Sequence, residues 1–403
     1  MTPTDLILGL AGLTAGAFAG FEALYRSRDA GTARLDEAKR TAWQELPATN
    51  GTRAFVCQVP FVNDNALYEQ TLVDVRPTVR VLTKSTHSPS DVVATVTVRA
   101  LNSDGRGDGY WAATLVGPKE TLQAELKVEI KAAPDVRLHA AVVGIEYQTY
   151  GRRDLLGFEQ EIVLPLSAVG ARPAPLVGET VSIQCVPTHI LTDIDDIVDV
   201  IDLYTKDFRQ PGDIVAVAES VVAITQRQYY RPQEVKPGYW AQRLSYFVPS
   251  KGSLSSRHGF QLAMNQIGTF KMVSSFFIGF VGKLVGKKGL FYELAGRPAE
   301  LIDDITGTMP PFDKYIVAGP KDPEAVVARI KERTGMEAAI ADANDLKRAM
   351  ILAATPGLDP QAVSRMLLDN PFGNAAEQTP IVVIRPIAAA NQGGAQRDQI
   401  RSV

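Results

Sequence analysis

Cysteine is nearly absent from this chain. Its 403 residues include two, Cys57 and Cys185, far apart and without a CxxC pair. That argues against a disulfide framework and against a thiolate zinc site, and leaves both as core side chains. The four histidines, His87, His139, His189 and His258, stand singly, so each reads as structural rather than as part of a ligand set. A basic excess is missing too. The net charge is −3 and the isoelectric point is near 5.9, which argues against a general nucleic-acid binder. The first 25 residues contain no Lys or Arg.

What is present is ordinary folded-protein composition, 45% hydrophobic and 22% charged, in a chain long enough for two or three domains. Leu6–Phe21, LILGLAGLTAGAFAGF, carries no charge, and with the residues to Tyr25 it reaches the ~20 residues that span a bilayer. Gly12, Gly16 and Gly20 form two GxxxG steps on one face. We read residues 1–26 as a transmembrane anchor, with the membrane engaged through residues 6–25. A cleaved signal peptide is the rival, although MTPTD is no basic n-region. A buried soluble helix is the third reading. Arg26, Arg28, Arg34, Lys39 and Arg40 follow the run, so the positive-inside rule places the later domains in the cytoplasm.

Residues 27–50 read as a polar linker. From 51 to 168 the period changes to two. Leu122–Lys131 alternates apolar and polar without a fault, and Val92–Ala100 does the same. Arg53–Val59, Leu72–Leu82, Tyr110–Val116, Val136–Tyr147 and Phe158–Leu166 complete about seven strands. One wet and one buried face imply an antiparallel β-sandwich. The turn Asn102–Gly109 lacks EF-hand spacing and suits a Gly/Asp-rich hairpin loop. Nothing in this domain forms a catalytic constellation, so binding or spacing is its expected job. Pro173 and Pro175 then stiffen a linker over 169–180.

Residues 181–387 change period again. Val181–Val186 reads as a strand. Asp193 is the expected cap of an amphipathic helix, and Pro211-Gly212-Asp213 makes a turn into a continuous apolar strand, Ile214–Val222. Pro323–Thr334 reads as a helix, Ala338–Ala341 as a buried strand, Pro360–Leu368 as a helix and Pro380–Arg385 as a closing strand. The alternation implies a mixed α/β domain. The stretch Glu337–Met350 matters most, because its apolar run ends in Asp342, Asn344 and Asp345. Ligand sites in open α/β sheets lie off the carboxyl ends of strands. Oxygen donors there suit Mg²⁺ or Mn²⁺ completed by phosphates. Asp and Asn are also ordinary turn and cap residues, and that reading stays open.

Taken in order, these pieces resemble the gamma-glutamyl ligases of the deazaflavin coenzyme F-420. The resemblance covers Val181–Pro386, the C-terminal half only. It rests on Gly212-Asp213 before a valine-rich strand, Thr334-Gly335 before Asp342-Ala-Asn344, and the Pro380–Arg385 strand. It implies a GTP-dependent ligase that couples a carboxylate to the amine of glutamate with a divalent metal. It further implies Asp342 as a metal ligand with Asn344 shaping the same turn, and a homodimer. The chain departs from the family pattern twice. Ala223–Gln226 stands where the family carries Lys and Glu, and a second metal-ligating Asp segment is replaced by Phe260–Gly296.

Within that replacement, Met272–Val285 is apolar and is followed by Gly286-Lys287-Lys288-Gly289. Three readings stand: a buried helix with a cationic end, a phosphate loop using Lys283, Lys287 and Lys288, and a membrane-touching surface. It is not a Walker motif. Asp303 and Asp304 are paired carboxylates that would complete an Asp342 metal site, or are simply solvated. Residues 388–403 read as a disordered tail. The expected fold class is therefore α+β multidomain, with a transmembrane helix, an antiparallel β-sandwich and a mixed α/β ligase-like domain. The expected function is a membrane-anchored ligase. The alternative is an inactive ligase-like scaffold at the membrane.

Overall fold

The computed structural model describes residues 14–20, 22–23, 32–83, 92–101, 111, 113–150, 155–178, 180–248, 254, 256–287, 289–296, 299, 301–302, 309–373 and 377–387. The turn at 102–109, Lys288, Asp303, Asp304 and the tail from 388 lie outside them. Most of the expected anchor does too; residues 14–20 and 22–23 of it are helical. No single helix among the described residues is long and apolar enough to cross a membrane. The fold is α+β, and the chain divides into two compact units, Met1–Leu164 and Pro165–Val403.

The first unit holds two antiparallel sheets. One contains β1 (Ala33–Leu35), β2 (Gln44–Thr49), β3 (Thr52–Asn63), β5 (Val92–Ala100) and β7 (Thr121–Ala132). The other is ordered β6 (Thr114–Val116), β4 (Gln70–Thr83), β8 (Leu138–Tyr150), β9 (Leu155–Pro165). Strand β7 buries every second residue, as its alternation requires. Phe61 of β3 meets Tyr147 of β8 edge-on at 5.1 Å. The Tyr147 hydroxyl accepts the Leu35 amide at 3.0 Å and donates to Gln160 at 3.2 Å. Burial pushes the pKa of that hydroxyl up to about 12. Residues 33–35 and 44–49, expected as linker, are strands paired with β3. Their shortness and polar neighbours hide the period-2 signal, and the exposed edge of β3 supplies their partners.

The second unit is built on a six-stranded mixed sheet in the order β10 (Leu176–Val177), β11 (Val181–Val186), β17 (Ile381–Pro386), β12 (Ile214–Ala218), β15 (Glu337–Asn344), β16 (Arg348–Ala354). A short ladder elsewhere joins β13 (Tyr229–Tyr230) to β14 (Ile316–Val317). Strands β12 and β15 are parallel, and the other neighbours in the six-stranded sheet are antiparallel. One sheet face packs Val215, Val217 and Ile340 against the first helix of this unit, α1 (Ile197–Thr205), and against α7 (Pro323–Thr334). The opposite face packs Ala216, Ala339, Ala341 and Val382 against Val363 of α8 (Pro360–Met366).

Three local expectations change. The cap of α1 is Asp196, whose carboxylate accepts from Val198 and Asp199; Asp193 instead pairs with Arg227 at 3.5 Å. The apolar run Ile214–Val222 is not one strand, because Glu219 opens a helix, α2 (Glu219–Thr225). The strand expected to end at Ala341 runs on to Asn344 and turns back as the hairpin strand β16.

Between α2 and α7 a helical layer forms its own core around Phe260, Met272 and Ile302. It comprises α3 (Tyr239–Leu244), α4 (Arg257–Ile267), α5 (Thr269–Leu284) and α6 (Leu290–Ala295). Helix α6 approaches α5 at Gly279, where a Cβ would stand 2.6 Å from Phe291 Cβ and 2.7 Å from its Cα. Backbone cannot yield as a flexible side chain does, so Gly279→Ala is expected to destabilise by about 1–3 kcal/mol. Thermal denaturation of the variant against wild type checks this.

Ion pairs tie α1, α7 and β15 together. Arg209 and then Arg333 hold the Asp202 carboxyl below its ordinary pKa, and Lys331 with the Thr355 hydroxyl does the same for Glu337. Both groups ionise more readily folded than unfolded, so the unfolded chain binds more protons near pH 4. Their contribution is complete above the unfolded values and is lost as pH falls through the folded ones. The urea midpoint of the second unit is expected to drop between about pH 5 and pH 3. An Asp202→Asn/Glu337→Gln chain should show a flatter profile, read by circular dichroism.

Candidate active site

Strands β11, β12 and β15 point their carboxyl ends the same way, and a cleft of about 570 Å³ opens there. That size falls within the roughly 300–1,000 Å³ of small-molecule sites. Its wall is made by Thr188–Leu191 after β11, by Ala218–Val221 where β12 passes into α2, by Ala341–Asn344 of β15, and by Phe372, Gly373 and Gln378–Pro380 before β17. Met309 and Phe312 add an apolar side.

Two acidic residues line this cleft from adjacent chain segments, for a reason written in the register. Ala218 of β12 pairs with Ala341 of β15, and the next residue of each chain segment is acidic, Glu219 and Asp342. Neighbouring strands lie about 4.8 Å apart, so the pairing sets both acids at the floor of the cleft. Ala339, Ala341 and Ala343 pack in the α8-side core. The two-residue period therefore gives Asp342 and Asn344 a common, opposite face.

Asp342 opens to the cleft and has no side-chain partner among the described residues. The cleft walls displace enough water to raise its carboxyl pKa above the ordinary value. The side chain itself stays exposed, and a carboxylate that no described residue neutralises is open to an external cation or donor. Asn344 also lines the cleft, and its side-chain oxygen accepts the Leu346 amide at 3.0 Å, fixing the hairpin turn. Asp345 sits in that turn, outside the cleft lining, and accepts from the Asn370 amide at 2.9 Å. Lys283 of α5 and Lys287 beyond it are exposed and do not line the cleft, whose described lining contains no Lys or Arg. Lys288, Asp303 and Asp304 fall outside the described residues.

Two lining residues were missed at the sequence level. Glu219 is buried. Its signal is that it is the one charge in the run from Ile214 to Thr225. His189 is held on both ring nitrogens, Nδ1 at 2.8 Å from the Tyr204 hydroxyl and Nε2 at 3.2 Å from Asp195. Asp195 is itself fixed by the Thr192 amide and hydroxyl. These contacts orient the imidazole along the wall, and nothing in the spacing of a lone His announces them.

All the charged or strongly polar oxygen donors here are hard, which fits Mg²⁺ or Mn²⁺ rather than a thiophilic metal. No group of three or more His, Cys, Asp or Glu is arranged to hold a metal among the described residues. A cation at Asp342 and Glu219 would thus be completed by ligand phosphate and water, as Mg²⁺ commonly is.

Residues 37–168 match the family model described as F420-0:gamma-glutamyl ligase, N-terminal Ig-like domain. This match corrects the placement of the resemblance in the C-terminal half only, since the matched domain is the strand-rich one. No curated protein matches. Among solved structures, the GAE domain of GGA2p from Saccharomyces cerevisiae is 10% identical, with 31% of this chain and 98% of that chain covered and a TM-score of 0.17. The ApaA protein from Bordetella pertussis is 13% identical over 33% of this chain and 94% of its own, at a TM-score of 0.17. A FixG-related protein from Vibrio parahaemolyticus is 12% identical over 32% and 97%, at 0.14. Likenesses this low carry no argument. The family match points to a ligase-like protein carrying an Ig-like domain.

Proposed function

We propose that the protein is a nucleotide- and metal-dependent ligase that forms a glutamyl-type amide bond, similar in activity to the F-420 gamma-glutamyl ligases. The observation that carries this reading is the paired placement of Glu219 and Asp342 at the carboxyl ends of β12 and β15, with no side-chain partner for Asp342 among the described residues. The family match of the Ig-like domain supports the same direction. Asp342, Glu219 and Asn344 would hold Mg²⁺ or Mn²⁺, and the metal would neutralise phosphate charge of GTP. The chain's own residues orient the substrates: His189, locked by Tyr204 and Asp195, shapes one wall, and Phe312 and Phe372 exclude water from another. Glutamate and a carboxylate acceptor are the proposed partners, in a homodimer anchored through residues 6–25 with the later domains on the cytoplasmic side.

A second reading, a non-catalytic scaffold at the membrane, is favoured by the absence of Lys and Arg from the described cleft lining and by Ala223–Gln226 where the family carries charges. Calorimetry of the full-length protein with GTP and Mn²⁺ separates the two. It is run with and without glutamate and a deazaflavin acceptor, beside an assay of phosphate release. The ligase reading expects nucleotide binding and acceptor-dependent turnover. Acceptor binding with neither would leave the scaffold. Membrane fractionation of the tagged chain checks the anchor, which a soluble full-length protein would defeat.

A further inference from the structure

Between Glu234 and Glu293 the chain carries no carboxylate side chain at all. The same stretch holds Lys236, Arg243, Lys251, Arg257, Lys271, Lys283, Lys287 and Lys288, in a protein whose net charge is −3. The six of these that are described are all exposed. This cationic stretch is the helical layer α3–α6, and it also bears a large apolar face that no described residue covers.

That face is on α5. Phe270, Phe277, Ile278, Phe280, Val281 and Leu284 are each between 50 and 87% exposed. At 100° per residue they fall within about 160° of arc, turned away from Met272, Ser275, Gly279 and Gly282, which face the core. Neither of these two faces carries a charged residue. One is satisfied by α6 and the layer's own core, and the other is presented to the outside. Trp240 of α3 meets Phe277 edge-on at 6.5 Å and Tyr239 meets Trp240 at 5.3 Å, which extends the face with two amphipathic aromatics. Lys271 and Lys283 flank the stripe, and Lys287 follows the helix.

We propose that this face of α5 lies in the surface of an anionic lipid bilayer, in the interfacial plane. Three features select that occupant. The apolar side chains protrude from a helix and form no groove, which suits insertion into an acyl boundary rather than a lock with another protein. The cations stand on the margins of the stripe, where lipid phosphates would meet them. Trp240 and Tyr239 are the residues that settle at headgroup level. A second copy of the chain is disfavoured, since a two-fold contact would press one cationic margin against another. Helix α4 bends away from α5 by 115°, so the pair suits lying on the surface better than crossing it. The inference depends neither on the ligase reading nor on the N-terminal apolar run.

The test uses the full-length chain with phosphatidylcholine vesicles containing or lacking bromine-labelled phosphatidylglycerol. The chain has three tryptophans, Trp43, Trp111 and Trp240. Trp240 alone should be quenched, removing about a third of the emission, and Trp240→Phe should abolish the effect. An Ile278→Glu/Val281→Glu/Leu284→Glu chain changes only exposed positions and is expected to lose the quenching. A Lys271→Glu/Lys283→Glu/Lys287→Glu chain should lose the preference for the anionic lipid. The N-terminal run can hold the chain on vesicles by itself, so sedimentation does not decide; the Trp240 signal does. A vesicle-bound chain with Trp240 unquenched overturns the proposal. So does quenching that survives the three glutamates, and so does a lipid-free dimer that the three glutamates dissociate.

Discussion

An Arg385→Ala chain is expected to lose about 3 kcal/mol of stability in the second unit, read as a lowered urea midpoint. Arg385 near the end of β17 grips Asp213 at the start of β12 with two bonds of 2.7 Å and donates to the Phe208 carbonyl at 2.9 Å. Asp213 is buried and also accepts the Gln210 amide at 2.8 Å. The pair raises the guanidinium pKa further through that carboxylate. Removing the arginine leaves a buried carboxylate with only the Gln210 amide to offset its desolvation. An Asp213→Asn/Arg385→Met chain removes both charges and should recover most of the loss. If the double variant is as unstable as Arg385→Ala, the ion pair is not what holds the turn. Asp213 and Arg385 are two of the features that carry the sequence resemblance. The structure brings them to each other, at the end of the sheet away from the cleft, as a structural clasp.

Asp342→Ala is expected to weaken metal-dependent nucleotide binding by at least about a hundredfold. Loss of a residue that only hydrogen-bonds a metal ligand already costs 10–100-fold, and this side chain would touch the metal. The same position should move stability in the opposite direction. Partial desolvation by the cleft walls raises the Asp342 pKa although the side chain is exposed, so above its unfolded value, about 4, the ionised form opposes folding slightly. Asp342→Asn should therefore melt higher than wild type at pH 7, and the gain should vanish as pH falls through the unfolded value. A residue held for stability would show loss in both measurements. Loss of binding with a gain in melting temperature is the signature of a residue held for its site. Binding undiminished in Asp342→Ala would remove this residue from the site while leaving the cleft in place.

Much of the architecture was legible locally. Strand β7 declares itself by a faultless period of two, and α7 by its length, its Pro at the start and Gly335 at its end. The expected helix over Met272–Val285 is there as α5, buried on the face of Met272, Ser275, Gly279 and Gly282 and exposed on the other. A periodic apolar stripe has no label saying which stripe meets the core, and α5 has two. Strand β16 and the carboxyl end of β15 were hidden because Asp342, Asn344 and Asp345 look like a turn. Only the last of these lies in the turn.

The candidate site divides the same way. The sequence alone determined that acids follow an apolar run at Asp342, that cysteine and histidine chemistry are absent as motifs, and that charge is segregated along the chain. These are properties of composition and short-range order, which no fold can alter. Only the tertiary structure decided that Glu219 lines the same cleft as Asp342, because this depends on β12 lying parallel to β15 across more than a hundred residues. It also decided that Lys283 and Lys287 lie away from the cleft, since which face a helix turns to the core is settled by its neighbours. Here those neighbours meet α5 at Gly279 and Gly282, and leave its phenylalanines outside.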